Sequence, residues 1–575
     1  MSRWLLKRNR VDTGKMAEAL GLLPLTAQIL ANRGIGDWES AQGFLHGTLS
    51  DLRTPETMAD FEAGLALVLQ AVASGKPIAV FGDYDADGVG STAILVKAIR
   101  DLGGEAIPFL PNRFTDGYGL NERAVAQAAA RGCGLLVTVD NGIAAQGPLA
   151  KAQELGLKTL VLDHHEPGPH LPPADACIDP KRADCPYPFK HMSAGGLAWL
   201  FAQALYARAG VDCPREDELL GLAALTTITD VMELREENRL LVKEGLKALG
   251  RCGNPGIQAL LRAEHCDGKP CTVRIAGFVL GPCINAAGRL ASAQLALELL
   301  LTEDSAEAAR LAEELVALNQ ERQRQTLAAT EKAIQSLGEL PKVVVYFDPE
   351  LPEGLAGLVA GRLKEKCCRP VIALTLDREG RAKGSARSVE GYPLHEKLRE
   401  QERLLLHYGG HAMAAGLALL PENIPALRAA LNVACPLSEA DLTPVFRVEG
   451  MAALEDLNLR LARELELLEP FGPGNPEPVV ALMDLTWERA VIFPKKTELY
   501  LSNGAGKRIK VLDFGAFAHW LEAQKGLKDE AFCEKIKAGV KIEEPVDILV
   551  RPQINRFRGS ESLQLLFTDM RFHNE

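Results

Sequence analysis

Between Lys76 and about Gly245 the chain alternates short β-rich runs with alanine-rich stretches, and this alternation leaves few folds open. Pro77–Phe81, Leu135–Val139 and Lys158–Leu162 are apolar runs of strand length. Residues 92–102, 121–131 and 145–155 lie between them and read as helices. A strand–helix–strand series of this kind implies a parallel sheet. In such sheets the working residues sit just beyond the carboxyl ends of strands, and three acidic motifs fall there.

The first is Phe81-Gly-Asp83-Tyr-Asp85-Ala-Asp87-Gly88, three carboxylates at alternate positions after a strand. An EF-hand loop opens similarly, but its twelfth position needs a bidentate Glu and here it is Ile94. Three acids at a strand end repel one another unless a cation neutralises them, or a solvated turn spreads them apart. The second and third are Val139-Asp140-Asn141-Gly142 and Leu162-Asp163-His164-His165. A lone strand-end Asp is usually a cap or turn residue, and a lone His pair is usually structural. Converging on one rim of one sheet, they have the composition of a two-cation site. Asp230 lies in an uncharged stretch between Leu219 and Val231, where a charge needs a partner or a metal.

Beyond this region, residues 302–337 carry helix formers without Gly or Pro and predict one long connecting helix. A second α/β unit starts at Lys342–Phe347 and runs to about Cys435. From about Val445 short strands at 479–484, 489–493, 498–502, 508–513, 546–551 and 562–568 predict a small β-barrel. The expected organisation is a helical cap at 1–75, a parallel-sheet α/β domain with a helical extension at 76–301, a connecting helix at 302–338, a smaller α/β domain at 339–437 and an OB-like barrel at 438–575.

Lys and Arg number 64 against 76 Asp and Glu, a net charge of −12, which argues against coating nucleic acid by bulk charge but leaves room for a local basic channel. No run of about 18 apolar residues marks a membrane span, and Trp4-Leu5-Leu6 is too short for a signal-peptide core. A cytoplasmic protein without membrane contact is expected. The 12 cysteines form no C-x-x-C pair; His265, Cys266 and Cys271 make at most half a zinc site, so reduced thiols are expected. No phosphate loop, G-x-S-x-G elbow or H-E-x-x-H helix offers another chemistry.

Asp83–Gly88, Asp140-Asn141, Asp163–His165 and Asp230 resemble motifs one to four of the DHH phosphoesterase superfamily. Gly409-Gly-His411-Ala-Met-Ala-Ala-Gly416 resembles the glycine-rich signature of the companion DHHA1 domain. Pro111-Asn-Arg113 through Tyr118-Gly-Leu120, Gly281–Leu290 and Leu468–Pro478 further resemble the RecJ family of single-strand-specific exonucleases. The match runs in order through nearly the whole chain.

The resemblance implies two divalent cations, Mn²⁺ or Mg²⁺, at Asp83, Asp85, Asp87, Asp140, His164 and Asp230, with Asp140 as the bridge. It places His165 facing the substrate, where an imidazole stabilises charge on phosphoryl oxygens, and Asp163 behind it as an orienting carboxylate. Arg113, Arg289, Ser385 and Arg387 match positions that hold a 5′-phosphate, a role suited to planar guanidinium groups. Gly409, Gly410 and His411 match positions along the substrate backbone, against the plainer reading of a tight turn. Tyr118 either stacks on a base or plugs a packing gap. In the barrel region Lys495, Lys496, Lys507, Arg508, Lys510, Arg551, Arg556 and Arg558, with Phe557, have the composition of a single-strand groove or of a solvated face.

The implied activity is 5′-to-3′ hydrolysis of single-stranded DNA to 5′-mononucleotides in repair and recombination, by a monomer working near a helicase and single-strand-binding protein. Two other readings stand beside it. One is a DHH hydrolase of short oligonucleotides or cyclic dinucleotides, which is expected to lack the barrel. The other is a silent binding scaffold, which is expected to have lost metal ligands that this chain retains.

Overall fold

The computed structural model describes residues 2–113, 115–117, 119–524 and 530–573, save the side chain of Glu543. It divides into two compact units, Asp51–Leu442 and a discontinuous one of Met1–Ser50 with Thr443–Glu575. Strand β1, Arg3–Leu6, belongs to the discontinuous unit.

The larger unit opens with helix Phe61–Ser74 and a five-stranded, wholly parallel sheet. Its strands are β2 (Ile78–Phe81), β3 (Ala106–Phe109), β4 (Leu135–Val139), β5 (Lys158–Leu162) and β6 (Ala176–Ile178), in the order β3-β2-β4-β5-β6. Every residue of β2 and β4 is buried, as in strands covered on both faces. Because β2 and β4 are neighbours, with Phe81 opposite Thr138, the chain segments after them leave the sheet side by side. Two strands escape the sequence pattern: β3 carries Pro108 and is only half-buried, and β6 has three residues.

The first crossover helix runs over Ala86–Asp101, starting six residues before the predicted 92. Asp85 is the reason, since its Oδ1 accepts from the N–H groups of Asp87 (3.0 Å) and Gly88 (3.1 Å) and caps the helix. The acidic motif is therefore a strand-to-helix turn. Helices Ala194–Ala209 and Glu216–Thr229 pack on it closely enough that Gly90 and Gly195 both abut the side chain of Thr226.

The long helix spans Ser305–Ser336 and is capped by Asp304. Its Ala333 shares a core with Val344, Val359 and Leu363 of a mixed sheet and its covering helix Ala356–Cys367. That sheet contains β7 (Val344–Phe347), β8 (Val371–Leu376), β9 (Ala382–Arg387), β10 (His407–Gly410) and β11 (Ala414–Leu419), ordered β10-β11-β9-β8-β7.

In the smaller unit β12 (Val445–Val448) and β13 (Gly450–Met451) precede β14 (Val480–Phe493), β15 (Lys496–Ser502), β16 (Arg508–Asp513), β17 (Ile542–Phe557) and β18 (Ser560–Phe572). Strands β14-β15-β16-β18-β17 form a ring that the β14–β17 pairing closes, an OB-like barrel. The predicted strands 479–484 and 489–493 are one strand, bent by register shifts between Leu482 and Leu485 and between Trp487 and Arg489.

The predicted cap at 1–75 is corrected. Residues 3–6 form a strand that pairs in parallel with β12, from Arg3 opposite Val445 to Leu6 opposite Val448. Met16, Ile29, Leu30 and Leu45 lie in one core with Trp487, Phe517 and Phe567 of the barrel, whereas Phe61–Ser74 covers the parallel sheet. The apolar stripe of the first helices is visible in the sequence, but a stripe does not name the surface that covers it. The predicted 438–575 unit accordingly starts at Thr443 and gains the first 50 residues.

No helix among the described residues is long and apolar enough to cross a membrane. All 12 cysteines are unbridged, and His265, Cys266 and Cys271 form none of the groups among the described residues able to hold a metal.

Candidate active site

At the carboxyl edge of the parallel sheet the predicted acids and imidazoles come together. Three groups have ligand atoms within 4.8 Å of one another: Asp83, Asp85 and Asp140; Asp140, His164 and His165; and Asp87, His164 and Asp230. Asp140 joins the first group to the second, and His164 joins the second to the third. His164 Nε2 lies 3.1 Å from Asp140 Oδ1 and 3.8 Å from both Asp87 Oδ2 and Asp230 Oδ2.

Each residue is held by its local backbone. Asp87 Oδ2 accepts from Ala194 N (2.9 Å) and its Oδ1 from Gly195 N (2.8 Å), at the start of helix Ala194–Ala209. Gly88 lets the turn close, since a Cβ there would lie 2.6 Å from both Cα and O of Asp83. Asp140 has a left-handed backbone at φ 63°, an unfavourable conformation for a residue with a Cβ. Asn141 Nδ2 donates to Val139 O at 2.9 Å. Asp230 ends helix Glu216–Thr229 and precedes Val231, also at positive φ.

Packing so many acids in so little water carries an electrostatic penalty. Burial, then the neighbouring carboxylates, pushes Asp87 up to about 7 and Asp230 up to about 8, and raises Asp83 and Asp140 well above the usual carboxylate range. Burial pulls His164 down to about 3, so it is a neutral imidazole and its approaches to the three acids are not salt bridges. Asp83 Oδ1 is buried without a hydrogen-bond partner. Buried acids, a neutral imidazole and an orphaned carboxylate oxygen suit divalent cations.

His165 behaves in the opposite way. Burial would lower its pKa, but Asp163 Oδ1 accepts from its Nδ1 at 2.7 Å and the acids around it lift it to about 9. Asp163 is fully enclosed; burial alone would raise its pKa, yet the hydrogen bond and charge of His165 bring it below the usual range. The result is an oriented, half-exposed cationic imidazole beside the acid cluster.

Next to the acids lies a group of arginines. Gly288, on helix Gly281–Leu290, rests against the backbone carbonyl of Tyr84, and Asn285 Oδ1 on the same helix accepts from Ala86 N at 2.9 Å. The following residue, Arg289, donates to Gly354 O at 3.1 Å, and Arg113 lies over the Tyr84 ring with its Cζ 4.6 Å from the centroid. Arg387 and Ser385 project from β9 towards Gly357, where a Cβ would stand 3.2 Å from Arg387 Nη2 and 3.4 Å from Ser385 Oγ. Burial and then repulsion from Arg113 and Arg322 bring Arg289 down to about 10. Among the described residues none of these arginines forms an ion pair with a carboxylate.

Gly409, Gly416 and Ser385 form one rung across β10, β11 and β9, and Gly410 turns the hairpin at φ 131°. His411 is exposed there, its N–H donating to Ala414 O at 2.8 Å. Tyr118 lies outside the described residues. In the barrel, Lys495 and Lys496 sit at the β14–β15 turn and Lys496 pairs with Glu498 at 2.8 Å, with Lys510 3.9 Å from the same carboxylate. Lys507 donates to Leu454 O, and Arg508 lies opposite Ser502. Arg551 pairs with Glu477, and Glu466 and Glu561 both hold Arg556, while Arg558 lies over the exposed ring of Phe557. Much of this charge is therefore met by acids of the barrel itself.

Residues 77–227 match the DHH family N-terminal domain, 340–435 the DHHA1 domain and 448–569 the RecJ OB domain. The single-stranded-DNA-specific exonuclease RecJ of Dickeya dadantii is 35% identical over 94% of this chain and 95% of its own length. The chain belongs to the RecJ family. The Escherichia coli RecJ is 33% identical over 98% of both chains. The Bacillus subtilis RecJ is 39% identical, but this chain spans only 62% of its length. The structure of Thermus thermophilus RecJ in complex with Mn²⁺ superposes with a TM-score of 0.82 at 30% identity, covering 99% of this chain and 79% of that one.

Two neighbours of this RecJ site carry no signal in the sequence. Lys181 repels a proton on His164 and steadies the ionised form of Asp230, and it pairs with exposed Glu166 at 3.5 Å. Asp179 is buried, pushed up to about 7 by desolvation. Both follow β6, whose three residues hid the strand-end position that would have flagged them.

Proposed function

We propose that this RecJ-family chain removes 5′-mononucleotides from the 5′ end of single-stranded DNA, with two divalent cations, Mn²⁺ or Mg²⁺, held by Asp83, Asp85, Asp87, Asp140, His164 and Asp230. Asp140 is the residue common to both cation sites in this reading. Those residues would hold cations that could supply an activated water and neutralise charge on the phosphoryl oxygens. His165 faces the phosphate as a cation, and Asp163 keeps it charged and oriented.

The observation that carries the direction of attack is the seating of Gly288 against Tyr84. That contact ties the helix carrying Arg289 to the acidic turn; Arg289 feels the charge of Asp85 and Arg113 that of Asp83, and Arg387, which with Ser385 lies against Gly357, repels Arg289. A terminal phosphate held by those side chains leaves the next phosphodiester at the acids, so the product is one nucleotide. Gly409, Gly410 and His411 continue the path along the backbone. The basic residues of the barrel, Lys495, Lys507, Arg508 and Arg558 among them, and Tyr118 are assigned to the strand that follows. In this reading the chain acts as a monomer. A strand-specific enzyme needs unwound substrate, so a helicase and single-strand-binding protein in DNA repair and recombination are its partners in this reading.

The test is a time course on 3′-labelled, 5′-phosphorylated single strands with Mn²⁺, Mg²⁺ or EDTA, beside duplex DNA, dinucleotides and an Asp140→Ala variant. Metal-dependent shortening from the 5′ end, absent in the variant and weak on duplex, is expected. Cleavage of dinucleotides alone would replace this reading with a small-substrate hydrolase, and binding without cleavage in any metal would replace it with a scaffold.

A further inference from the structure

The arginine group is larger than one terminal phosphate requires. Arg322, on the long helix, is half-buried; its Nε and Nη2 both donate to Asn319 Oδ1, at 3.1 and 2.8 Å. Asn319 is itself buried and fixed, its Nδ2 donating to Cys283 Sγ at 3.4 Å on the segment that carries Arg289. A guanidinium has five N–H donors, so this neutral anchor fixes the plane of Arg322 and leaves the other donors open. Arg362 comes from helix Ala356–Cys367, whose Gly357 backs onto Arg387 and Ser385.

These groups repel one another. Arg289 is opposed by Arg113, Arg322 and Arg387, and Arg322 by Arg362. Among the described residues none of the five forms an ion pair with an acid. Elsewhere on the same helix the arginines are paired, Arg310 with Glu307 and Glu314, and Arg324 with Glu321, the residue adjacent to Arg322. Half-buried cations gathered with no carboxylate paired to any of them are a site for an external anion. A terminal monoester brings at most about two negative charges, fewer than the three cations of Arg113, Arg289 and Arg387 already supply.

We propose that Arg322 and Arg362 extend the Arg289–Arg387 pocket into a second phosphate subsite, so that this chain prefers 5′-diphosphate and 5′-triphosphate ends over 5′-monophosphate ends. The inference rests on the terminal-phosphate reading above and adds to it a substrate class, strands whose first nucleotide carries a phosphoanhydride. Hydrolysis of the first phosphodiester by water then releases a nucleoside 5′-diphosphate or triphosphate and leaves the anhydride intact.

The test is the KM and first product on 3′-labelled single strands bearing 5′-hydroxyl, 5′-monophosphate or 5′-diphosphate ends, with Mn²⁺. For the unaltered chain KM is expected to fall roughly tenfold at each added phosphate, the size of a charge-assisted pair of hydrogen bonds. The diphosphate strand is expected to yield a nucleoside diphosphate. Arg322→Gln with Arg362→Gln should keep the first step, lose the second, and turn over 5′-hydroxyl strand as before; Arg322→Lys should restore part of it. If the double variant does not fold, Arg362→Gln alone carries the test. Equal or weaker binding of the diphosphate strand by the unaltered chain overturns the proposal, as does loss of both steps together in the variant. Absence of the first step in the unaltered chain removes the terminal-phosphate pocket itself, while metal-dependent cleavage would still stand.

Discussion

One carboxylate of Asp163 serves two elements at once: Oδ1 accepts from His165 Nδ1 at 2.7 Å and Oδ2 from the backbone N–H of Ile143 at 2.9 Å. The turn after β4 and the imidazole after β5 are thereby fixed to the same group. Its charge is what holds His165 up at about 9. Asp163→Asn keeps an acceptor and removes that charge, so His165 should lose its proton at a much lower pH. We expect kcat at pH 8 to fall by roughly a hundredfold, the usual size for losing a positioned proton donor or cation, with KM for strand little changed. Activity of the unaltered chain should fall as pH rises through about 9, and this limb should move to lower pH in the variant. A limb that stays in place would assign it to another group.

Removing the metal should make stability depend on pH in an unusual direction. Without a cation Asp87 titrates at about 7 and Asp230 at about 8, against 3.8 for an ordinary aspartate. Between those values the folded chain holds protons that the unfolded chain does not, so stability falls as pH rises through the window. A bound cation takes the protons' place. Melting temperature in EDTA is expected to drop from pH 5 to pH 8.5, and the gap opened by Mn²⁺ to widen over the same range. A gap that narrows would mean that these acids are not the ligands.

Two glycine-to-alanine changes in helices should have opposite signs. Alanine is ordinarily favoured in a helix by about 1 kcal/mol. At Gly43, exposed and with nothing within 4 Å of a new Cβ, that gain should appear. At Gly88 the new Cβ would lie 2.4–2.6 Å from the N, Cα and O atoms of Asp83, so the change should cost about 1–3 kcal/mol and weaken Mn²⁺ binding. Urea unfolding and metal titration by fluorescence check both. Unimpaired metal binding in Gly88→Ala would show that the turn has room to spare.

Glu464 ties residues 1–50 to the barrel chemically. It is buried and accepts from Leu23 N (2.8 Å) and Thr26 Oγ1 (2.7 Å), with Arg460 Nε at 3.0 Å. Hydrogen bonds to a charged group contribute about 1.5–3 kcal/mol, and Glu464→Ala leaves the buried Thr26 hydroxyl without this acceptor. We expect destabilisation of that order and faster proteolysis within residues 1–50, with cleavage of short single strands retained. Unchanged proteolysis would place the hold on this segment in its apolar contacts alone.

The acid cluster was legible because strand ends are fixed points: Asp83, Asp140 and Asp163 each follow an apolar run, and a parallel sheet brings such positions together. Asp85 was legible as an acid but not as a helix cap, and so the start of the first helix was misplaced. The pairing of Arg3–Leu6 with Val445–Val448 was not legible, because a four-residue strand carries no label for a partner more than four hundred residues away. Nor was Arg322. On an amphipathic helix it looks the same as Arg310 and Arg324, and only the positions of the neighbouring acids separate an arginine that is paired from one that is waiting.

The parallel pairing of β1 with β12 also sets a schedule for synthesis. At about 5–20 residues per second, roughly 20–80 seconds pass between the emergence of residue 50 and that of β12. By the end of that interval the parallel sheet and the mixed sheet have all their strands available, whereas Ile29, Leu30 and Leu45 still lack the barrel surface that will cover them. Residues 1–50 thus precede both sheets in the chain yet find their covering surface only after them, and a chaperone that shields short apolar helices would have this segment as its client.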